Sequence, residues 1–129
     1  MEGKVWEPLR IGPMELKSRL VMPPMVTQYG SEDGRVTVRS RNHYGARARG
    51  GVGLIIVEAT FVDPLGRGFA NQLAICDDAF LPGLNQLAAE IHRGGAKAAI
   101  QLHHAGRLTN AKLIGAQPVS PSPLPTPGG

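Results

Sequence analysis

The chain has 129 residues, of which 42% are hydrophobic and 19% charged, the balance of an ordinary folded domain and not of a disordered segment. Its single cysteine, Cys76, excludes an internal disulfide framework and an intrachain four-thiolate metal centre. The net charge of +4 brings a nucleic-acid partner into question, because five of the ten arginines (Arg35, Arg39, Arg41, Arg47 and Arg49) fall close together. Only His43 and Tyr44 lie among them as stacking partners, so the cluster reads as a solvated basic helix face and no nucleic acid is expected.

The longest strictly apolar run, Leu54 to Val57, is far short of the roughly 20 residues a membrane helix needs. Met1 to Gly30 holds no apolar core of the roughly 7–15 residues typical of a signal peptide. A cytoplasmic protein without membrane contact is the expectation.

Strand–helix units follow in order. The first strand is Leu20-Val21-Met22, stopped by Pro23-Pro24, since adjacent prolines cannot continue a sheet interior. Asp33-Gly34 predicts a further turn, at the tip of a short hairpin. A helix runs from about Thr37 to Arg49, with Thr37 as N-cap and Tyr44 and Ala48 sharing a face. Gly50-Gly51 supplies its left-handed stop. The second strand, Val52 to Ala59, is a continuous apolar run, as in a parallel sheet covered on both faces.

A long loop spans Thr60 to about Phe80, with turn signals at Asp63-Pro64 and Gly66. The second helix starts near Pro82 and carries the apolar stripe Leu84, Leu87, Ala88 and Ile91. Gly94-Gly95 ends it, and the third strand is Lys97 to Leu102. Alternating strands and helices with short links give parallel α/β architecture. Residues 117–129 hold five prolines, which suit neither a helix nor an inner strand. The organisation is therefore 1–116 as a β/α body and 117–129 as a proline-rich segment.

In such folds chemistry gathers where the strands end. Those ends carry Pro23-Pro24-Met25-Val26, then Glu58-Ala59-Thr60, then Gln101-Leu102-His103-His104. Residue by residue, plain structural roles are open. Glu58 can pair with a lysine or arginine, and Gln101 can be satisfied within the fold. His103 and His104 point to opposite sides and do not share a metal. Cys76 has no base beside it in sequence and reads as a packed thiol. Gly50-Gly51-Val52-Gly53 precedes a strand, so it is not a dinucleotide fingerprint.

Three segments, Ser18 to Met25, Gly51 to Ala59 and Gln101 to Arg107, resemble the old yellow enzyme family. These are FMN-dependent NAD(P)H:flavin oxidoreductases, including enoate and 2,4-dienoyl-CoA reductases. The resemblance covers nearly the whole chain. It implies the N-terminal part, about three βα units, of a (β/α)8 TIM barrel, a fold of about 250 residues. It implies FMN contacts from Pro23, Pro24, Met25, Val26, Ala59 and Gln101. Gln101 would read the pyrimidine edge of the flavin. Val26 stands where the family often has cysteine or threonine, and valine makes no such hydrogen bond. Tyr29 is a candidate substrate contact, although direct counting puts Gln28 at the family's tyrosine position.

The resemblance further implies NAD(P)H as reductant and an activated alkene or enoyl compound as substrate. The carbonyl-polarising pair, the proton donor and the FMN phosphate site lie beyond the third strand in the family. The chain alone is therefore expected to be inactive, and 117–129 to lead toward a lid and the rest of the barrel. Iron–sulfur and FAD regions, as in larger bacterial members, would lie in a missing C-terminal region. The alternative is a non-catalytic module that assembles with another chain, and an open barrel edge predicts association in either case.

Overall fold

The computed structural model describes residues 3–124. A short antiparallel hairpin comes first, β1 (Leu9–Ile11) with β2 (Met14–Leu16), turning at Gly12-Pro13. Leu16 is fully buried and fixes the hairpin to the body. Three parallel strands follow in the order β3 (Val21–Met22), β4 (Leu54–Phe61), β5 (Lys97–His103). Between them lie α1 (Val38–Arg49) and α2 (Leu81–Arg93), and a last short helix, α3 (Ala111–Ile114), follows β5.

Both long helices pack on one face of the sheet. Tyr44 and Ala48 of α1 and Leu87 and Ile91 of α2 form one core with Met22, Ile55, Val57 and Leu73. Each large apolar side chain buried there contributes about 1.5–3 kcal/mol. The other face carries no helix among the described residues. Val21, which alternates with buried Met22, is 45% exposed there, and Ala99 and Gln101 alternate with Ala98 and Ile100, which pack on the core.

The caps follow sequence chemistry. The Thr37 hydroxyl accepts the Ser40 N–H at 3.2 Å, while the Ser40 hydroxyl accepts the Thr37 N–H at 3.4 Å. Both helices end in Gly-Gly, and it is the second glycine that turns left-handed, with φ +105° at Gly51 and +82° at Gly95. Gly50 stays at φ −71°, so the stop lies one residue later than expected. A Cβ at Gly53 would sit 2.2 Å from the Ser18 carbonyl oxygen, so the chain is still threading past Ser18 there. β4 therefore begins at Leu54 instead of Val52, and it runs on to Phe61.

Two further expectations need correction. Asp33-Gly34 is a turn closed by Ser31 and Arg35, with no strands flanking it. The long loop starts after Phe61 and not at Thr60, because Thr60 and Phe61 belong to β4, and Phe61 exchanges backbone hydrogen bonds with Leu73 and Ile75, which brings Leu73 into the core. In the proline-rich segment, residues 117–124 form no helix or strand, and 125–129 lie outside the described residues. No helix among the described residues is long and apolar enough to cross a membrane.

At the opposite end of the sheet from the strand termini, Lys17 joins the two units. Its ammonium donates to the Ala48 carbonyl at 2.7 Å and the Gly94 carbonyl at 2.5 Å, the C-terminal ends of α1 and α2. A cation there meets the negative ends of two helix dipoles. Lys17→Met is expected to cost about 1–2 kcal/mol, a value reduced for the exposure of the site. The check is the shift in the urea midpoint at unchanged m-value.

Candidate functional site

The C-terminal ends of β3, β4 and β5 form one rim. Pro23 and Pro24 leave β3 with fixed φ and no N–H to donate. Met25 follows, 57% exposed, and Val26 is half-buried. The N–H groups of Met25 and Val26 meet no acceptor among the described residues. Gln101 is exposed on the helix-free face, and its carboxamide makes no hydrogen bond among the described residues. A free amide with one donor side and one acceptor side on β5, with free main-chain donors after β3 on the same rim and β4 between them, fits the edge of a planar heterocycle. These residues fit a flavin of the kind the resemblance implies.

Gln101 stands opposite a β-bulge. Val57 pairs with Ile100 and Thr60 with Leu102, so Glu58 and Ala59 together face the single residue Gln101. Simple alternation from Ile55 and Val57 would turn Glu58 to the helix-free face. The extra residue turns it toward α1 instead. Its carboxylate is fully buried. It accepts the Thr27 N–H at 2.9 Å, the Thr27 hydroxyl at 2.6 Å and the Tyr44 hydroxyl at 3.1 Å. The expected lysine or arginine partner is absent among the described residues. Glu58 is thus part of the frame beneath the rim, not of its surface.

Ala59 is 6% exposed, and its carbonyl accepts the Gln72 amide at 2.8 Å. Gln72 was not legible as a site residue, yet it is fully buried and ties the rim together. Its Oε1 accepts the N–H groups of Gly68 and Phe69, which fixes the amide's orientation. Its Nε2 therefore donates to His103 Nδ1 at 3.1 Å, and His103 carries its own proton on Nε2. His104 lies against Gly66, where a Cβ would come within 2.5 Å of the ring. The two histidines serve different neighbours, and among the described residues no three side chains gather as a metal site.

Tyr29 is held by α1. The Arg39 guanidinium lies 3.8 Å from its ring centroid, and the His43 ring meets its edge at 5.4 Å. The other arginines of the cluster also have intramolecular contacts: Arg35 with Asp33, Arg41 with Gln86, Arg47 with the His43 carbonyl and Arg49 with Glu90. His43 Nε2 is buried without a partner among the described residues. Burial, aided by Arg47, holds the His43 imidazole below its ordinary value. Burial likewise raises the Tyr44 phenol, which stays protonated and able to donate.

A profile of the NADH:flavin oxidoreductase / NADH oxidase family matches residues 4–127. The chain is 50% identical over 118 residues to the NADH oxidase of Thermoanaerobacter brockii, covering 90% of this chain and 18% of that protein. Its fold is similar to the old yellow enzyme homologue from Zymomonas mobilis, with a TM-score of 0.88 and 30% identity over 98% of this chain and 35% of that one. It is equally similar to a morphinone reductase, with a TM-score of 0.88 and 33% identity over 96% of this chain and 33% of that one. The chain thus spans about a third of the solved relatives and under a fifth of the curated one.

Gln72→Leu would leave the Ala59 carbonyl and two loop N–H groups without partners. It is expected to cost about 2–4 kcal/mol in chemical denaturation. His43 gives a pH signature. Its folded-state pKa lies below the unfolded value of 6.5, so the unfolded chain takes up the proton first. Stability is therefore full above that value and falls as pH drops below it. Melting temperatures across this range should show the decline, and His43→Leu should flatten it.

Proposed function

The chain belongs to the NADH:flavin oxidoreductase / NADH oxidase family, and from that premise we propose that it supplies the first β/α units of an FMN-dependent ene-reductase barrel. The observation that carries the reading is the rim itself. The free Gln101 carboxamide stands across the bulge from Ala59, and the free N–H groups of Met25 and Val26 follow β3. FMN, when bound, supplies hydride transfer from a reduced nicotinamide to an activated alkene.

This chain's residues would bind and orient the cofactor. Gln101 would pair its amide with the polar edge of the ring, taking one donor and one acceptor. Pro23 and Pro24 would preset the path of the main chain, and Met25 and Val26 would offer donors along it. Ala59, being small, would let the ring approach the strand. Val26 brings no side-chain hydrogen bond, so any tuning at that edge falls to main-chain groups. Tyr29 would have to share its ring with Arg39 and His43 to touch a substrate, which leaves it a secondary candidate. The groups that polarise the substrate carbonyl, donate the proton and anchor the phosphate would come from barrel units after β5. The solved relatives are about three times the length matched here, which supports that division of labour. The NADH oxidase is longer still, at 18% coverage, which leaves room in such a protein for further regions beyond the barrel.

A second reading rests on the outer edge of β5, which has no neighbouring strand among the described residues. Beside it, Leu84, Ala88 and Ile91 of α2 and Ala98 and Ile100 of β5 line an open apolar groove of about 280 Å³. Such an edge also suits assembly with another polypeptide.

The test reads the source gene past the codon for Gly129, expresses the whole product and measures the flavin released on denaturation. Stoichiometric FMN, falling by about tenfold or more in Gln101→Leu, is the expected result. Flavin-free protein, or flavin content indifferent to that substitution, overturns the reading. A stop codon directly after Gly129 would favour assembly instead. The 129-residue chain alone is expected to bind FMN only weakly or not at all, and micromolar affinity in a flavin titration would contradict this.

A further inference from the structure

Thr27 is fixed from both sides. Its N–H and hydroxyl both go to the Glu58 carboxylate, and its Oγ1 accepts the Tyr29 N–H at 3.1 Å. Between them Gln28 takes the left-handed conformation, with φ +57°. The Tyr29 carbonyl then accepts the hydroxyls of Thr37 at 2.5 Å and Ser40 at 3.0 Å, the capping pair of α1. On the other side of the segment, β3 and two prolines set the path. Met25 and Val26 are the short span held between these fixed points.

The anchor is itself locked. The Tyr44 hydroxyl donates to Glu58 Oε1 and accepts the Glu58 N–H at 3.0 Å, so the two residues hold each other reciprocally. Tyr44 and Glu58 have no solvent exposure. A buried carboxylate that lost a donor would carry an unmet desolvation cost, so the arrangement resists partial disruption.

We propose that Glu58 and Tyr44 are positioning residues, which act through Thr27 to set where the Met25 and Val26 main chain meets the cofactor. This inference rests on the flavin reading above. Glu58 and Tyr44 need touch neither cofactor nor substrate. Their effect is geometric, since a misplacement of about 1 Å at a positioned group is enough to degrade a site.

The experiment uses three substitutions. Thr27→Val removes the hydroxyl and keeps the main-chain bond to Glu58. Thr27→Ser keeps the hydroxyl. Tyr44→Phe removes the lock on Glu58. Amide exchange is measured on the whole gene product without flavin, comparing residues 25–29 with the buried turn of α2. In the flavin-loaded gene product, FMN affinity and the visible absorption band of the bound flavin are recorded. Thr27→Val and Tyr44→Phe are expected to speed exchange at the Tyr29 amide and weaken FMN binding, each by about tenfold, with a displaced flavin band. Thr27→Ser should restore both to about the original values. Unchanged exchange and an unchanged band overturn the proposal. So does exchange that rises equally in α2, which would mean general loosening. If the unsubstituted product holds no flavin, the flavin reading fails, and the exchange data separate that failure from a failure of the network.

Discussion

A carboxylate cannot lie inside a protein without donors around it, and Glu58 is the one charged side chain among the buried described residues. Meeting that demand organises the rim. The donors come from the segment after β3 and from α1, so a single side chain on β4 holds three elements in register. The bulge makes this possible, because one extra residue in β4 re-aims the carboxylate toward the helix layer. The same irregularity sets Ala59 opposite Gln101. The frame and the surface of the site therefore come from one local departure from regular pairing.

The sequence made much of this fold legible, for identifiable reasons. Thr37 and Pro82 are strong local signals for helix starts, and Gly-Gly pairs are strong signals for their ends. The α2 stripe repeats at helical spacing, and two of its members, Leu87 and Ile91, reach the core. The hairpin of β1 and β2 is not legible in the sequence, because strands of three residues are too short to show a period. The bulge is hidden too, because alternation assumes unbroken pairing. Gln72 is hidden for a different reason: it lies in a loop beside Asn71, where polar residues read as solvated, and only the folded loop shows it bridging Ala59 to His103. The partners of Glu58 are not legible either, since spacing cannot tell a cation from the hydroxyls and N–H that meet it.

The two faces of the sheet have different tasks. The helix face is filled, with Tyr44, Ile55, Leu87 and Ile91 closed from solvent. The other face is open, and it carries Gln101 and exposed Val21. A parallel sheet is normally covered on both sides. The family's barrel satisfies that rule by curving the sheet until the open face meets itself. In a completed barrel the polar groups of the rim would stand at the mouth of an enclosure and no longer on an open surface.

Lys17 bears on how these units come apart. In stacked repeat proteins each unit can fray nearly alone, because contacts reach only the next neighbour. Here one ammonium holds the last carbonyls of two successive helices. Melting the end of either helix leaves that ammonium short of a partner and loosens its hold on the other. The two β/α units are thereby tied into one cooperative block, with Lys17, the residue just after the hairpin, as its latch.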